Sequence, residues 1–231
     1  MSGIAERKAL ILIAAAELMV RRGYEATTIA EVAKAAGVSV GSVMNLFGSK
    51  AHLALDVRDS VAANLAQAVS APLEKHARHI PMAIEGAIAA YLMWRAGKPA
   101  HAVLLQELAA VRVDGRRTAD AVLVRLSAVV TQWAIPQIAA GRLPTLDPAH
   151  LHALILGPAM TLAASCAGRL TDAARSELAR HLTSHVCAGL WPASASAGSV
   201  TAKSQAKHVK GLKGAEGVPT ASERQLHLMG V

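Results

Sequence analysis

Val40, Gly41 and Ser42 put small side chains in a row at the start of a helical pattern, and here the sequence offers its clearest chemistry. Residues of so little bulk let a backbone come close to a nucleic-acid duplex, the approach made by a helix whose N-terminal end enters a groove. The elements that would hold them are legible on either side. Thr28 and Glu31 form Thr-x-x-Glu, a capping box in which hydroxyl and carboxylate each satisfy a free amide at a helix start. Ile29, Val32, Ala33 and Ala36 then recur at three- and four-residue intervals and share one inward face. Gly37 can take the left-handed conformation that ends this helix, and Ser39 can cap the next, which runs from about Val40 to Phe47 with Val43 and Phe47 inward. Residues 28–47 thus read as a helix-turn-helix.

From residue 7 to residue 53 the order of features is similar to the DNA-binding headpiece of the TetR family of transcriptional regulators. Ile11, Leu12, Ala14, Ala15 and Leu18 carry its first helix, and Gly23 and Tyr24 its first turn. Thr27, Thr28 and Ile29 open the second helix, and Ala36, Gly37, Val38, Ser39 and Gly41 make the turn into the third. Phe47, Ser49 and Lys50 close the pattern, which covers about the first quarter of the chain. Two positions depart from it: Met44 stands where the family usually has tyrosine, and Leu46 where it often has histidine. The resemblance implies that Thr28 and Lys50 hold phosphates, that Gly41 permits close approach, and that Ser39, Val40, Ser42 and Asn45 meet base edges or a thymine methyl. Met44, on the same helix, cannot give a phosphate the hydrogen bond a tyrosine would, so each half-site should be short of at least one backbone bond; the alternative is an apolar contact with a thymine methyl.

Composition agrees with an all-α fold. The 231 residues are 53% hydrophobic, too apolar for a largely disordered chain, yet only 3% are aromatic, so the core must be built from Ala, Leu, Val and Ile. The net charge of +8 is spread along the chain: six basic and four acidic side chains among residues 1–50, thirteen and ten among 51–191, five and two among 192–231. The motif, and not bulk charge, therefore carries the nucleic-acid reading. Cys166 and Cys187 fall in apolar helical patterns without a Cys-x-x-Cys, which suits buried, reduced thiols in a cytoplasm. The apolar run after Arg7 and Lys8 is interrupted by Glu17 and keeps helical period to Met19, unlike a signal peptide. Leu151 to Gly168 contains His152 and Pro158 and reads as a buried or dimer-forming helix, not a membrane span.

The expected organisation is a headpiece over residues 1–50, a connector helix over 51–72, a helical ligand-binding and dimerisation domain over 73–191, and a disordered basic tail over 192–231. Residues 1–6 read as a loose arm, and the first helix as Arg7 to Arg22. The connector carries Leu53, Val57, Val61, Leu65 and Val69 on one stripe and should stop near Pro72. Beyond it, helices are expected over Ile80 to Arg95, Pro99 to Arg112, Arg117 to about Ala140, Pro148 to Gly168 and Thr171 to Leu190, with no strand pattern and with local breaks or kinks at Pro136 and Pro158. The tail's Lys203, Lys207, Lys210 and Lys213 could add nonspecific attraction to DNA.

By resemblance the second domain implies a pocket, and Tyr91, Trp94, His101, Gln106, Gln132 and Trp133 are its candidate anchors. His181 and His185 have a metal-sharing spacing, but Leu182 replaces the glutamate of His-Glu-x-x-His, so no metal, cofactor or enzymatic activity is expected. Leu151, Leu154, Ile155, Met160 and Leu162, followed by Leu178, Leu182 and Val186, supply apolar surface for a homodimer, which in the family forms through the last two helices. The expectation is a cytoplasmic, nucleoid-associated dimeric repressor that leaves its double-stranded operator when a small-molecule effector binds. The alternative is a ligand-binding or protein-interaction module that keeps the headpiece fold without specific DNA affinity.

Overall fold

The computed structural model describes residues 2–166 and 170–191. The expected basic tail and the last residues expected for the fifth long helix, Gly168 among them, lie outside this set. The described residues form one compact unit. They fold into α1 (Ser2–Arg22), α2 (Ile29–Ala35), α3 (Val40–Phe47), α4 (Lys50–Lys75), α5 (Ile80–Gly97), α6 (Pro99–Leu108), α7 (Ala121–Ala139), α8 (Pro148–Cys166) and α9 (Asp172–Leu190).

One departure from helix is a short antiparallel pair between α6 and α7, β1 (Arg112–Val113) and β2 (Arg116–Arg117). It corrects the expectation of helix up to Arg112 and again from Arg117. Asp114 and Gly115 both have positive φ, 50° and 73°, as a tight two-residue hairpin turn requires. Asp120 then starts α7, its carboxylate accepting from the Val122 and Leu123 amides at 2.9 and 3.1 Å. At the chain start α1 begins at Ser2, so residues 2–6 of the expected loose arm are helical, with Ile4 exposed to solvent. Nor do the prolines end their helices: Pro72 lies inside α4, which continues to Lys75, while Pro136 and Pro158 lie inside α7 and α8.

α4 organises the packing. It buries Leu53, Val57, Val61, Leu65 and Val69 as the stripe predicts, and Ala54, Ala62, Ala66 and Leu73 besides. The small residues beside the stripe let neighbours pack on more than one side. α1 and α3 cover its first turns, and α5, α6 and α7 the remainder, so one hydrophobic core runs from Ile11 to Leu190 without a break. α4 and α5 approach closely where Gly86 meets Pro72, since a Cβ at Gly86 would lie 2.6 Å from the Pro72 Cβ. Among the described residues, only α7 is long and apolar enough to cross a membrane; its Leu126, Val130, Trp133 and Ala134 are buried against the protein, while Leu123, Val124 and Ile135 are exposed.

Gly86→Ala should destabilise the fold even though alanine is the better helix former. Overpacking against a rigid proline ring costs about 1–3 kcal/mol, against a propensity gain of about 1 kcal/mol. Denaturant unfolding should show the loss, whereas Gly97→Ala, whose Cβ meets nothing within 4 Å, should leave the midpoint unchanged or slightly raised.

Candidate nucleic-acid interface

The local chemistry read from the sequence is realised at both helix starts. The Thr28 hydroxyl accepts from the Glu31 amide at 3.2 Å, and the Glu31 carboxylate accepts from the Thr28 amide at 3.0 Å. The same hydroxyl donates to Glu31 at 2.8 Å, and Arg22 closes the set with a 2.6 Å bond to the other carboxylate oxygen. Glu31 is thereby held below the usual glutamate range, first by the Thr28 hydroxyl, then by the Thr28 amide and by Arg22. Because the one proton of Thr28 already goes to Glu31, the donors left at this helix end are the first backbone amides of α2.

Between α2 and α3 the chain makes a Schellman turn: Val38 N–H bonds the Ala33 carbonyl at 3.0 Å and Gly37 N–H the Lys34 carbonyl at 3.3 Å, with Gly37 at φ 67°. Ser39 accepts from the Ser42 amide at 3.1 Å, and the two serine hydroxyls share a 2.9 Å bond. Val43 and Phe47 are buried, which turns Val40, Gly41, Met44 and Asn45 outward together. Val40 is 47% and Met44 41% exposed, which leaves both side chains accessible to a partner. Of the eight residues assigned to DNA contact, Ser39, Val40, Gly41, Met44 and Asn45 lie on this outward face, and Ser42 is half-buried beside Ser39.

Lys50 is tied to the headpiece. Its Nζ donates to the Glu25 carbonyl at 2.9 Å and sits 4.4 Å from the centroid of the Tyr24 ring, so the ammonium braces the α1–α2 loop against α4. Lys8 does likewise from α1, pairing with Asp56 at 2.7 Å over the Phe47 ring. The sequence reading missed a further link across 83 residues: Glu107 on α6 accepts the Tyr24 amide at 2.7 Å and lies against Gly23. No local pattern announces it.

The six candidate ligand residues are not gathered in one place. Tyr91 and Gln106 line a cavity of about 200 Å³ with Arg95, Ala102, Asp120 and Met160. There the Tyr91 hydroxyl is pushed up by burial, an effect opposed chiefly by the charge of Arg95, whose Nε is buried without a partner among the described residues. Gln132 and Trp133 line a cavity of about 420 Å³ between α4 and α7, and His101 a cavity of about 520 Å³ between α1, α4 and α6. Trp94 donates its indole N–H to Asn64 at 2.9 Å and reads as a structural residue. Elsewhere, His181 and His185 are exposed on α9, and Cys187 is half-buried with its thiol pushed up by burial.

Two short helices joined by a glycine turn, the first of them packed on α1, with a capped outward helix start, define a helix-turn-helix headpiece. Residues 11–57, the headpiece and the start of α4, match the family described as "Bacterial regulatory proteins, tetR family". Among solved structures, the chain is similar to a TetR-family transcriptional regulator from Pectobacterium atrosepticum, with 21% identity, TM-score 0.59, and 83% of this chain and 97% of that one covered. FadR from Bacillus subtilis, solved in complex with stearoyl-CoA, is 17% identical with TM-score 0.58, covering 79% of this chain and 99% of its own. The fatty acid degradation regulator FadR from Bacillus halodurans is 16% identical with TM-score 0.56, covering 80% and 96%. At these identities the likeness establishes the fold beyond the headpiece. Comparison with curated proteins returns no match.

A carboxylate held low stabilises the folded headpiece above the ordinary glutamate range, and that contribution fades as pH falls through the lower, folded-state value. Thr28→Val removes the largest cause of the shift, so the Glu31 carboxyl midpoint followed by NMR should move upward. A midpoint that stays in place would show that the residue 28 amide and Arg22 hold the carboxylate low without the hydroxyl.

Proposed function

We propose that this regulator is a dimeric repressor of the cytoplasm and nucleoid that leaves its operator when a small molecule enters the second, α5–α9 part of the chain. The outward face of α3 carries the reading: Ser39, Val40, Ser42 and Asn45 meet base edges or a thymine methyl, with Gly41 allowing the approach and Met44 adding apolar contact. Lys50 and the start of α2 at Thr28 take phosphates. Lys50 has two ammonium protons beyond the one given to Glu25, so it can do so without leaving the loop.

The effector reading rests on α6. Its Ala102, Leu105 and Gln106 wall the 200 Å³ cavity, while Glu107 of the same helix bonds the Tyr24 amide. Small-molecule sites usually measure 300–1,000 Å³, so an effector must widen this cavity and displace its walls. Displacing α6 moves Glu107, and with it the loop that Lys50 braces. Tyr91, Arg95 with its unpartnered Nε, and Gln106 are the polar anchors, which suits an effector bearing hydrogen-bond acceptors. Ligand and DNA then oppose each other through the spacing of two headpieces, which must reach successive major grooves about 34–36 Å apart or a multiple of it.

A second copy is placed on α8. Leu151 and Ile155 are fully buried within the chain and Val186 nearly so, which leaves the outward residues of α8 and the half-buried Leu178 and Leu182 of α9 for the dimer surface. Ala153, Leu154, Pro158 and Thr161 form such a face, uncharged, with Leu154 42% exposed. The rival reading, an interaction module without specific DNA affinity, is favoured by one observation: Met44 offers the duplex no hydrogen bond.

Two measurements test the proposal. Selection of bound fragments from a genomic pool should return a two-fold symmetric site, and on that site Lys50→Ala should flatten the salt dependence by about one unit of slope per half-site. Recovery of no consensus would favour the interaction module, and an unchanged slope would remove Lys50 from the phosphate contacts. Independently, sedimentation should give a dimer for the native chain and a monomer for Leu154→Arg; a native monomer at micromolar concentration would overturn the assembly.

A further inference from the structure

The largest cavity described above is not the one walled by Tyr91. It lies in the seam between the headpiece and the rest of the chain, and at about 520 Å³ it already has the size of a small-molecule site. Leu12, Ala16 and Val20 of α1 and Val61 of α4 make one apolar side, and Ile13 beside them is 58% exposed. Arg21, at the end of α1, and Lys98, at the head of α6, are the cations of the lining. Among the described residues neither has a carboxylate partner: Arg21 donates Nε to the Glu17 carbonyl at 3.3 Å, and Lys98 donates to Asn64 at 2.7 Å. Asn64 Oδ1 is held in turn by the Trp94 indole, so the ammonium is positioned while keeping two protons free. α6 also begins here without a side-chain cap, adding helix-end amides beside Lys98. Glu17 is the single acidic side chain of the lining, against two cations.

We propose that this seam is a second binding site, taking an amphipathic organic anion whose apolar body lies along α1 and whose acidic group meets Lys98 and Arg21. His101, half-buried and disfavoured as a cation by burial and by Lys98, supplies a neutral ring at the same end. A molecule held there touches the first helix of the headpiece and the first turn of α6 at once. It would act on headpiece position without passing through the Tyr91 cavity, and binding itself requires neither operator nor effector.

Calorimetry on the full chain with submicellar sodium dodecanoate tests the site, with dodecyltrimethylammonium as the chain of opposite charge. Dodecanoate should bind and the cation should not. Ala16→Trp, which fills the seam, should weaken dodecanoate by about tenfold or more, and Lys98→Met, which keeps the stem and removes the charge, by about five- to tenfold. Ala109→Trp, which fills the Tyr91 cavity instead, should change it by less than about twofold. No dodecanoate binding up to about 1 mM, equal binding of the two chains, or loss confined to Ala109→Trp would each overturn the assignment. Should Ala16→Trp fail to fold, Lys98→Met against the native chain decides alone.

Discussion

A single helix shared between two packing problems is the constraint on which this structure depends. Leu53 and Val57 of α4 and, farther along it, Leu65, Val69 and Leu73 belong to one buried cluster, and α4 packs against α1 and α3 as well as α5 and α7. Because the burial is continuous, neither part has its own separable interior, and a helix of 26 residues is stiff over that length. The headpiece is thus carried at the end of a rod whose other end is gripped by the cavity-bearing helices. Polar contacts refine the grip: Arg58, buried in the middle of α4, bonds Thr118 at 2.5 Å and ties the rod to the residue just after the β hairpin.

That arrangement explains why α6 matters more than its ten residues suggest. It packs on α1 and α4, walls the Tyr91 cavity with some side chains, meets the headpiece loop with Glu107, and offers its first turn to the seam. Three environments are sensed by one short rigid element. Coupling between sites needs an element with two arrangements that both sites bias, and α6 is the element placed to be one.

Much of the headpiece was legible because its determinants are local. A Thr-x-x-Glu box, a glycine after an apolar period and a serine before the next helix each fix backbone within four residues, and each was found as read. The stripe on α4 was legible for the same reason. What escaped needed distant partners: Glu107 reaches Tyr24 across the fold, and Lys50 is committed to Glu25 by contacts no spacing encodes. The ligand candidates dispersed because helical period fixes which residues share a face but not which helix that face meets. The Asp114-Gly115 hairpin was a different kind of miss. Its turn signal was present, but strands of two residues are too short to show alternation beside long alanine-rich helices.

The Gly86–Pro72 approach has a mechanical meaning. Most contacts between α4 and α5 join side chains that can rotate about their bonds and so yield gradually, like springs. Here a proline ring faces bare backbone, and neither partner can turn away. A stiff point among compliant ones behaves as a fulcrum: force applied to α5 elsewhere swings the helix about it in preference to sliding it. Tyr91 and Arg95 lie on one side of that point, and Lys98, where α6 begins, stands about 18 Å beyond it at 1.5 Å per residue. A small outward push at the tyrosine therefore arrives at the head of α6 with its travel enlarged, so that the lever arm is set by where in α5 the missing side chain falls.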